Sequence, residues 1–356
     1  GEERQRLLSG AEGMLGFTRS LTLQLAPLPG KRALGIVNFP TFRASMAAAE
    51  HIVKLGPTAV ELVDRIMIEL ALANPAFRPT MQTALLGQPA AILLVEFARD
   101  DAAELATKVK QLVALMGDLG LPGSVVEMLD ATAQKNLWEV RKAGLNVMMS
   151  VKGDGKPVSF IEDCAVPLEH LADYTDALNE VFARHGTHGT FYAHASVGTL
   201  HVRPILDMRQ DGPNGGAARM RAIAEEASAL VRKYRGAYSG EHGDGLCRGE
   251  WIAWQFGPAL TEAFREIKQH LDPEGLFNPG KIVDPPKMDD PSLFRFAPPS
   301  APQPYRVAPL KPFLDWSAWN VQNDPVTEAT TAPGTGGDPA GGFAKAVEMC
   351  NNNGHC

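Results

Sequence analysis

The stretch GTFYAHASVGTLHVRPIL, residues 189–206, decides how this chain is read. It carries His194 and His201, seven residues apart. On a helix that spacing separates two side chains by about 10.5 Å along the axis. In one straight strand it exceeds about 20 Å. Ligands sit about 2 Å from a shared metal ion, so neither geometry lets both rings reach one. A site on this stretch therefore requires the segment to fold back, and Gly198 in its middle permits the turn.

Downstream, AYSGEHGDGLCRG (237–249) places Glu241 and His242 between Gly240 and Gly243. Glycines on both sides let the backbone pass close to a bound group and aim adjacent side chains differently. Two imidazole nitrogens and one carboxylate make an open site for Zn²⁺, Mn²⁺ or Fe²⁺. The competing reading is plain: a His beside Tyr192 is a satisfied core or surface residue, and Asp244 a turn-former.

Around this centre the pattern alternates between strand and helix. RALGIVNF (32–39), PAAILLVEFA (89–98), GSVVEMLD (123–130) and KPVSFIEDCAVP (156–167) read as strands. TFRASMAAAEHIVKLG (41–56) reads as a helix stopped by glycine, and PTAVELVDRIMIELALA (57–73) as a second helix. DDAAELATKVKQLVALMGDLG (100–120) opens on an Asp cap. TAQKNLWEVRKAGLNVMM (132–149), LEHLADYTDALNEVFARHG (168–186), ARMRAIAEEASALVRKYRG (218–236) and GPALTEAFREIKQHLDP (257–273) complete the helices. The expected class is α+β, a sheet with helices packed on one face, followed by a C-terminal irregular arm. The opening SGAEGMLGF (9–17) is a glycine-punctuated turn, and TRSLTLQLAPLP (18–29) alternates like a strand.

Bulk properties narrow the function. The chain has 356 residues, 45% of them apolar, and a net charge of -7, which argues against a nucleic-acid partner. No run of about 18 apolar residues predicts a membrane span, and no signal peptide is seen. Four cysteines, Cys164, Cys247, Cys350 and Cys356, make no secreted disulfide framework and favour a reducing cytoplasm. From residue 284 the composition turns to Pro, Gly and Thr, the signature of a linker or wrapping arm, with Trp316 and Trp319 as anchor points.

HASVGTLHVRP resembles the H-x-G-x-G-N-x-H element, and SGEHGDG the S-x-E-H-G-x-G element, of the C-terminal domain of flavin-linked D-lactate and D-2-hydroxyglutarate dehydrogenases. These belong to the vanillyl-alcohol-oxidase-like superfamily. LDPEGLFNPGKIV resembles that domain's D-P-x-x-x-F-N-P-G-K finish, and SGAEGMLGF the G-S-E-G-T-L-G element near the end of the preceding FAD-binding domain. The four motifs follow the family's order over Ser9–Val283.

The resemblance implies a largely antiparallel, ferredoxin-like sheet covered by helices. It implies His194, His201 and Glu241 as metal ligands, His242 as the base, and Arg141 on the substrate carboxylate. Gly10, Glu12, Gly13, Gly16, Asn278 and Lys281 would lie near the FAD. Where relatives carry Asn after the second His this chain has Arg203, which would clamp a carboxylate or pair with Asp207 or Glu241. Aligning on Pro167 puts Ile161 where hydroxyglutarate-type relatives carry a substrate lysine.

The resulting organisation is a tail of an FAD-binding domain at 1–29, a substrate domain at 30–283, a linker at 284–343, and the start of an iron-sulfur module at 344–356. EMCNNNGHC supplies only Cys350 and Cys356, so a cluster, which usually needs four thiolates, is expected in a full-length protein alone. The implied activity is oxidation of a small D-2-hydroxy acid, with electrons leaving to a quinone, flavoprotein or cytochrome. A homo-oligomer, and a peripheral site at the inner membrane, are compatible with it. A metal-dependent hydrolase and a non-catalytic binding module are the alternatives. The fragment alone is expected to be inactive and to hold FAD poorly.

Overall fold

A computed structural model describes residues 7–28, 30–149, 155–208, 210 and 212–294. Its centre is an antiparallel sheet built from eight strands: β1 Lys31–Phe39, β2 Ala59–Asp64, β3 Ala91–Arg99, β4 Val125–Met128, β5 Lys156–Pro157, β6 Cys164–Ala165, β7 Gly189–His194 and β8 Thr199–Leu206. The order is β4-β1-β3-β2-β7-β8-β5, with β6 also paired to β8.

Strict alternation along the strands sorts residues between two faces. Ala33, Val37, Val60, Leu62, Leu93, Val95, Phe97, Phe191, Ala193, Leu200 and Val202 all belong to one apolar core. Helices α1 (Phe42–Ile52), α4 (Ala102–Asp118), α7 (Leu171–Arg184) and α8 (Gly216–Lys233) pack there through residues such as Met46, Leu112, Leu178 and Ala224. On the opposite face Leu34, Ile36, Ile92, Leu94 and Val63 form a second core. It is closed by α2 (Arg65–Ala73), α3 (Arg78–Ala84), α5 (Ala131–Lys142) and α6 (Gly144–Met149). Helices thus lie on both faces, not on the one face the alternation suggested. Each fully buried Leu or Phe contributes about 1.5–3 kcal/mol, so both cores fix the register of the sheet.

The second face changes character across the sheet. Cross-strand pairs Glu61↔His194, Tyr192↔His201 and Thr190↔Arg203 continue it over β2, β7 and β8 with polar side chains. Apolar cover at one end and polar groups at the other leave the β7–β8 end free for chemistry.

Local sequence explains the junctions. Thr41, Asp64, Asp101 and Asp130 each accept a backbone N–H from the first turn of the following helix. Residues 57–73, expected as one helix, are strand β2 followed by α2, divided at the Asp64 cap. The strand is buried on both faces, so its apolar run carries no period-2 mark. Residues 156–167, expected as one strand, pair only at their two ends, because a turn at Phe160–Asp163 interrupts them. Residues 18–28 pair with nothing in the described structure, and Leu21, Leu23, Leu25 and Leu28 are exposed. After Val283 the chain stays attached: Met288 is buried and Arg221 pairs with Asp289 at 2.8 Å. The iron-sulfur reading of Cys350 and Cys356, and the Trp316 and Trp319 anchors, lie outside the described residues.

The fold-back expected between the two histidines is a hairpin. β7 and β8 are joined by Ala195–Val197 and by Gly198 at φ 71°. A Cβ at Gly198 would lie 2.0 Å from the carbonyl oxygen of Val166. Gly198→Ala combines a left-handed backbone with that clash, and is expected to cost about 3 kcal/mol in urea unfolding.

Candidate active site

The hairpin sets His194 and His201 side by side, ring centroids 5.0 Å apart and edge to face. The loop Ser239–Gly243 brings Glu241 and His242 over them. Glu241 Oε1 lies 3.1 Å from His194 Nε2, 3.1 Å from His201 Nε2 and 3.6 Å from His242 Nε2. Three imidazoles therefore converge on one carboxylate oxygen. Donors bound to one tetrahedral ion with bonds of about 2.0–2.1 Å lie about 3.3 Å apart. Glu241 Oε1 stands near that distance from both imidazole nitrogens, and Asp163, His201, Glu241 and His242 bring possible ligand atoms within 4.8 Å of one another, a donor set of the kind that suits a divalent cation.

Carboxylates behind the rings set their orientation. Glu61 Oε1 lies 2.7 Å from His194 Nδ1, leaving Nε2 to face Glu241. Its other oxygen accepts from Arg141 Nη2 at 2.8 Å. Glu162 repeats the arrangement: Oε2 accepts from Arg203 Nη2 at 2.8 Å, and Oε1 lies 3.3 Å from His242 Nδ1. Arg203 takes neither of the partners expected for it. The two guanidiniums lie 4.8 and 5.5 Å from the Tyr192 ring centroid. Burial works to raise the Glu162 carboxyl, but Arg203, with Ser159 and His242, outweighs it and holds it below its ordinary range. Ile161, at the position of the relatives' lysine, is fully buried.

The loop is carried by Asp163, which lies in a turn at φ 73° and is fully buried. Its carboxylate accepts from the backbone N–H of Gly240 (2.9 Å), Glu241 (2.9 Å) and His242 (2.8 Å), and from Ser239 Oγ (3.1 Å). The buried Arg248 guanidinium lies 3.4 Å away and donates to the Gly243 carbonyl at 2.7 Å. Asp163 lies close enough to the imidazoles to join a cation's ligands. Its oxygens are occupied by these donors, however, so its role is to position Glu241 and His242. Sequence reasoning missed Asp163, Glu61 and Glu162. The available signs were a Glu inside the apolar strand AVELV and the acidic pair within FIEDC.

Of the residues expected beside a flavin, Gly10 and Glu12 line a different wall, whereas Gly13, Gly16, Asn278 and Lys281 are not part of it. Gly10, Glu12, Ser239, Glu241, His242, Phe256 and Ile282 surround a cavity of about 480 Å³. Glu12 accepts from the backbone N–H of Asp244 (2.6 Å) and Gly245 (3.0 Å), and Asn278 Nδ2 donates to the Glu12 carbonyl at 2.6 Å. The opening turn is thereby locked to the catalytic loop and to the NPGK turn that holds Lys281. Gly10 and Gly13 have positive φ, and a Cβ at Gly10, Gly13 or Gly16 meets nothing within 4 Å. Burial pushes the Cys164 thiol up to about 12, which makes it a core residue and no nucleophile.

Comparison with known proteins follows the same line. Residues 28–282 match the family described as FAD linked oxidases, C-terminal domain. The chain is 34% identical to D-2-hydroxyglutarate dehydrogenase of Pantoea ananatis over 79% of its own length and 28% of that protein. It is 26% identical to the mitochondrial D-lactate dehydrogenase [cytochrome] of Arabidopsis thaliana, over 80% of this chain and 48% of that one. The chain thus spans less than half the length of either relative. Among solved structures, p-cresol methylhydroxylase with substrate bound superposes with a TM-score of 0.52 at 14% identity, covering 73% of this chain and 54% of that one. That likeness concerns the fold.

Two outcomes follow from the geometry. Asp163→Asn strips Arg248 of its buried counter-charge, and is expected to lower stability by about 3–5 kcal/mol in urea unfolding. The hydrogen bond to Glu61 raises the His194 pKa, while burial, aided by the nearby His194 charge, lowers His201 to about 4. Below its raised pKa His194 holds a proton, while His201 stays neutral until the pH nears 4. A divalent cation must then displace one proton, so its affinity should fall about tenfold per pH unit below the His194 pKa, with a slope of one. Calorimetric Mn²⁺ titrations across that range check it; a slope of two would contradict it.

Proposed function

The chain belongs to the family of FAD linked oxidases, C-terminal domain, and from that premise we propose that it is the substrate domain of a flavin-dependent D-2-hydroxy acid dehydrogenase. The observation that carries the reading is the convergence of His194 and His201 Nε2 on Glu241 Oε1, each at 3.1 Å, beside the two half-enclosed guanidiniums. Relatives named D-2-hydroxyglutarate dehydrogenase and D-lactate dehydrogenase support an acid of the lactate or hydroxyglutarate type.

Oxidising such an acid removes the hydroxyl proton and the hydride on Cα. His194, His201 and Glu241 would hold a divalent cation (Zn²⁺, Mn²⁺ or Fe²⁺), whose chemistry there would be polarisation of the substrate hydroxyl. His242 takes the hydroxyl proton at Nε2, because Glu162 engages its other nitrogen. Arg141 and Arg203 take the substrate carboxylate. Glu61 and Glu162 keep both guanidiniums in place while the site is empty of acid. FAD, when bound, supplies the hydride acceptor. Gly10, Glu12, Gly13, Gly16, Asn278 and Lys281 form the side of the molecule turned toward it. Cys350 and Cys356 would serve as thiolates for an iron-sulfur cluster that would supply electron transfer to a quinone, flavoprotein or cytochrome, in the cytoplasm or at the inner face of a membrane. No helix of the described residues is long and apolar enough to cross a membrane.

Elemental analysis tests the reading. The purified chain is expected to carry about one divalent ion, and His201→Ala and Glu241→Ala to carry none. D-lactate or D-2-hydroxyglutarate should raise the melting temperature of the metal-loaded chain, and chelation should abolish the rise. Arg141→Ala should weaken the acid about 10- to 100-fold without releasing the ion. The chain alone should turn over no acid and retain little FAD. Stoichiometric FAD with turnover would overturn the expectation of an inactive chain, and acid binding that ignores chelation would overturn the metal-assisted reading.

A further inference from the structure

A second cavity, of about 950 Å³, begins at Arg141, Glu61 and His194 and runs across the end of the sheet to α4. This lies at the top of the range, about 300–1,000 Å³, in which pockets enclose drug-sized ligands. It far exceeds what a three- to five-carbon acid needs. Its inner walls are largely apolar, with Ala33 and Ala59 from the strands, Leu105 and Ala106 from α4, and Leu129 and Trp138 on the α5 side, and the exposed Lys31, Arg32, Lys135 and Lys142 form its rim. Alanines at three of these places keep the space open.

The polar groups inside are already engaged. Glu96, buried in the sheet, accepts from Trp138 Nε1 at 3.1 Å and from Arg32 at 3.5 Å. Gln134 donates to the carbonyls of Arg32 and Met128. Methylene groups of a ligand tail laid along these apolar walls gain burial. We propose that this cavity is a side-chain subsite for 2-hydroxy acids with an extended apolar tail. The inference rests on the reading of Arg141 and the imidazoles as the site for the acid's head group.

Calorimetric titration of the Mn²⁺-loaded chain with D-lactate, D-2-hydroxyhexanoate, D-2-hydroxyoctanoate and D-2-hydroxyglutarate tests it. Dissociation constants should fall up to about fourfold for each buried methylene, with the octanoate tightest. Ala106→Phe fills the cavity from α4, and should remove the gain for the octanoate while leaving D-lactate unchanged. If that variant does not melt cooperatively, Ala131→Trp on the exposed first turn of α5 replaces it. Equal affinity along the series overturns the subsite and leaves the head-group reading standing. Hydroxyglutarate binding more tightly than the hexanoate also overturns it, because cations at the rim would then be recognising the tail. If no acid of any length binds, both readings fall together.

Discussion

Asp163 gathers three consecutive backbone N–H groups, a serine hydroxyl and a buried guanidinium around one carboxylate. It anchors the first half of the glycine-flanked loop, while Glu12 holds the backbone of Asp244 and Gly245 farther along. Glycines at 240, 243 and 245 give the loop its shape but no rigidity, and rigidity has to come from an outside anchor. The anchor itself lies in a left-handed turn between the two short strands paired to β8. The strand carrying His201 thus also carries the clamp for Glu241 and His242, so errors in strand position move ligands and base together.

The sheet supplies the second half of the arrangement. Each strand alternates between a face that is apolar throughout and a face that is apolar only over β4, β1 and β3. Polar residues on β2, β7 and β8 fall in register on the uncovered part, where Glu61 faces His194 and Tyr192 faces His201. The two Arg–Glu–His arrays are the outcome, one through Glu61 and one through Glu162. Each carboxylate bridges one guanidinium and one imidazole, while the Nε of Arg141 and of Arg203 is buried without a hydrogen-bond partner among the described residues.

Much of this was legible in the sequence. The distance a helix or strand spans in seven residues forced a turn between His194 and His201, and the hairpin at Gly198 is that turn. The α+β class, the strand at 89–98 and the Asp101 cap follow from period and capping chemistry alone. Residues 57–73 were misread because a strand buried on both faces runs directly into an amphipathic helix. Residues 18–28 alternate like a strand but have no partner among the described residues. Glu61 and Glu162 were invisible for a different reason: they act on residues 133 and 80 positions away. Short-range pattern holds no information about which imidazole a carboxylate will face.

The imidazole cluster, were it to hold a cation, would also act as a sieve. Two nitrogens, each 3.1 Å from one carboxylate oxygen, would suit a small ion with short bonds to mixed donors. Ca²⁺ asks for six to eight oxygens at about 2.3–2.6 Å, and Mg²⁺ keeps most of its own water. Abundance in the surroundings would favour both, yet neither matches the donors on offer. The hairpin turn that brings two rings together therefore also decides which elements are turned away.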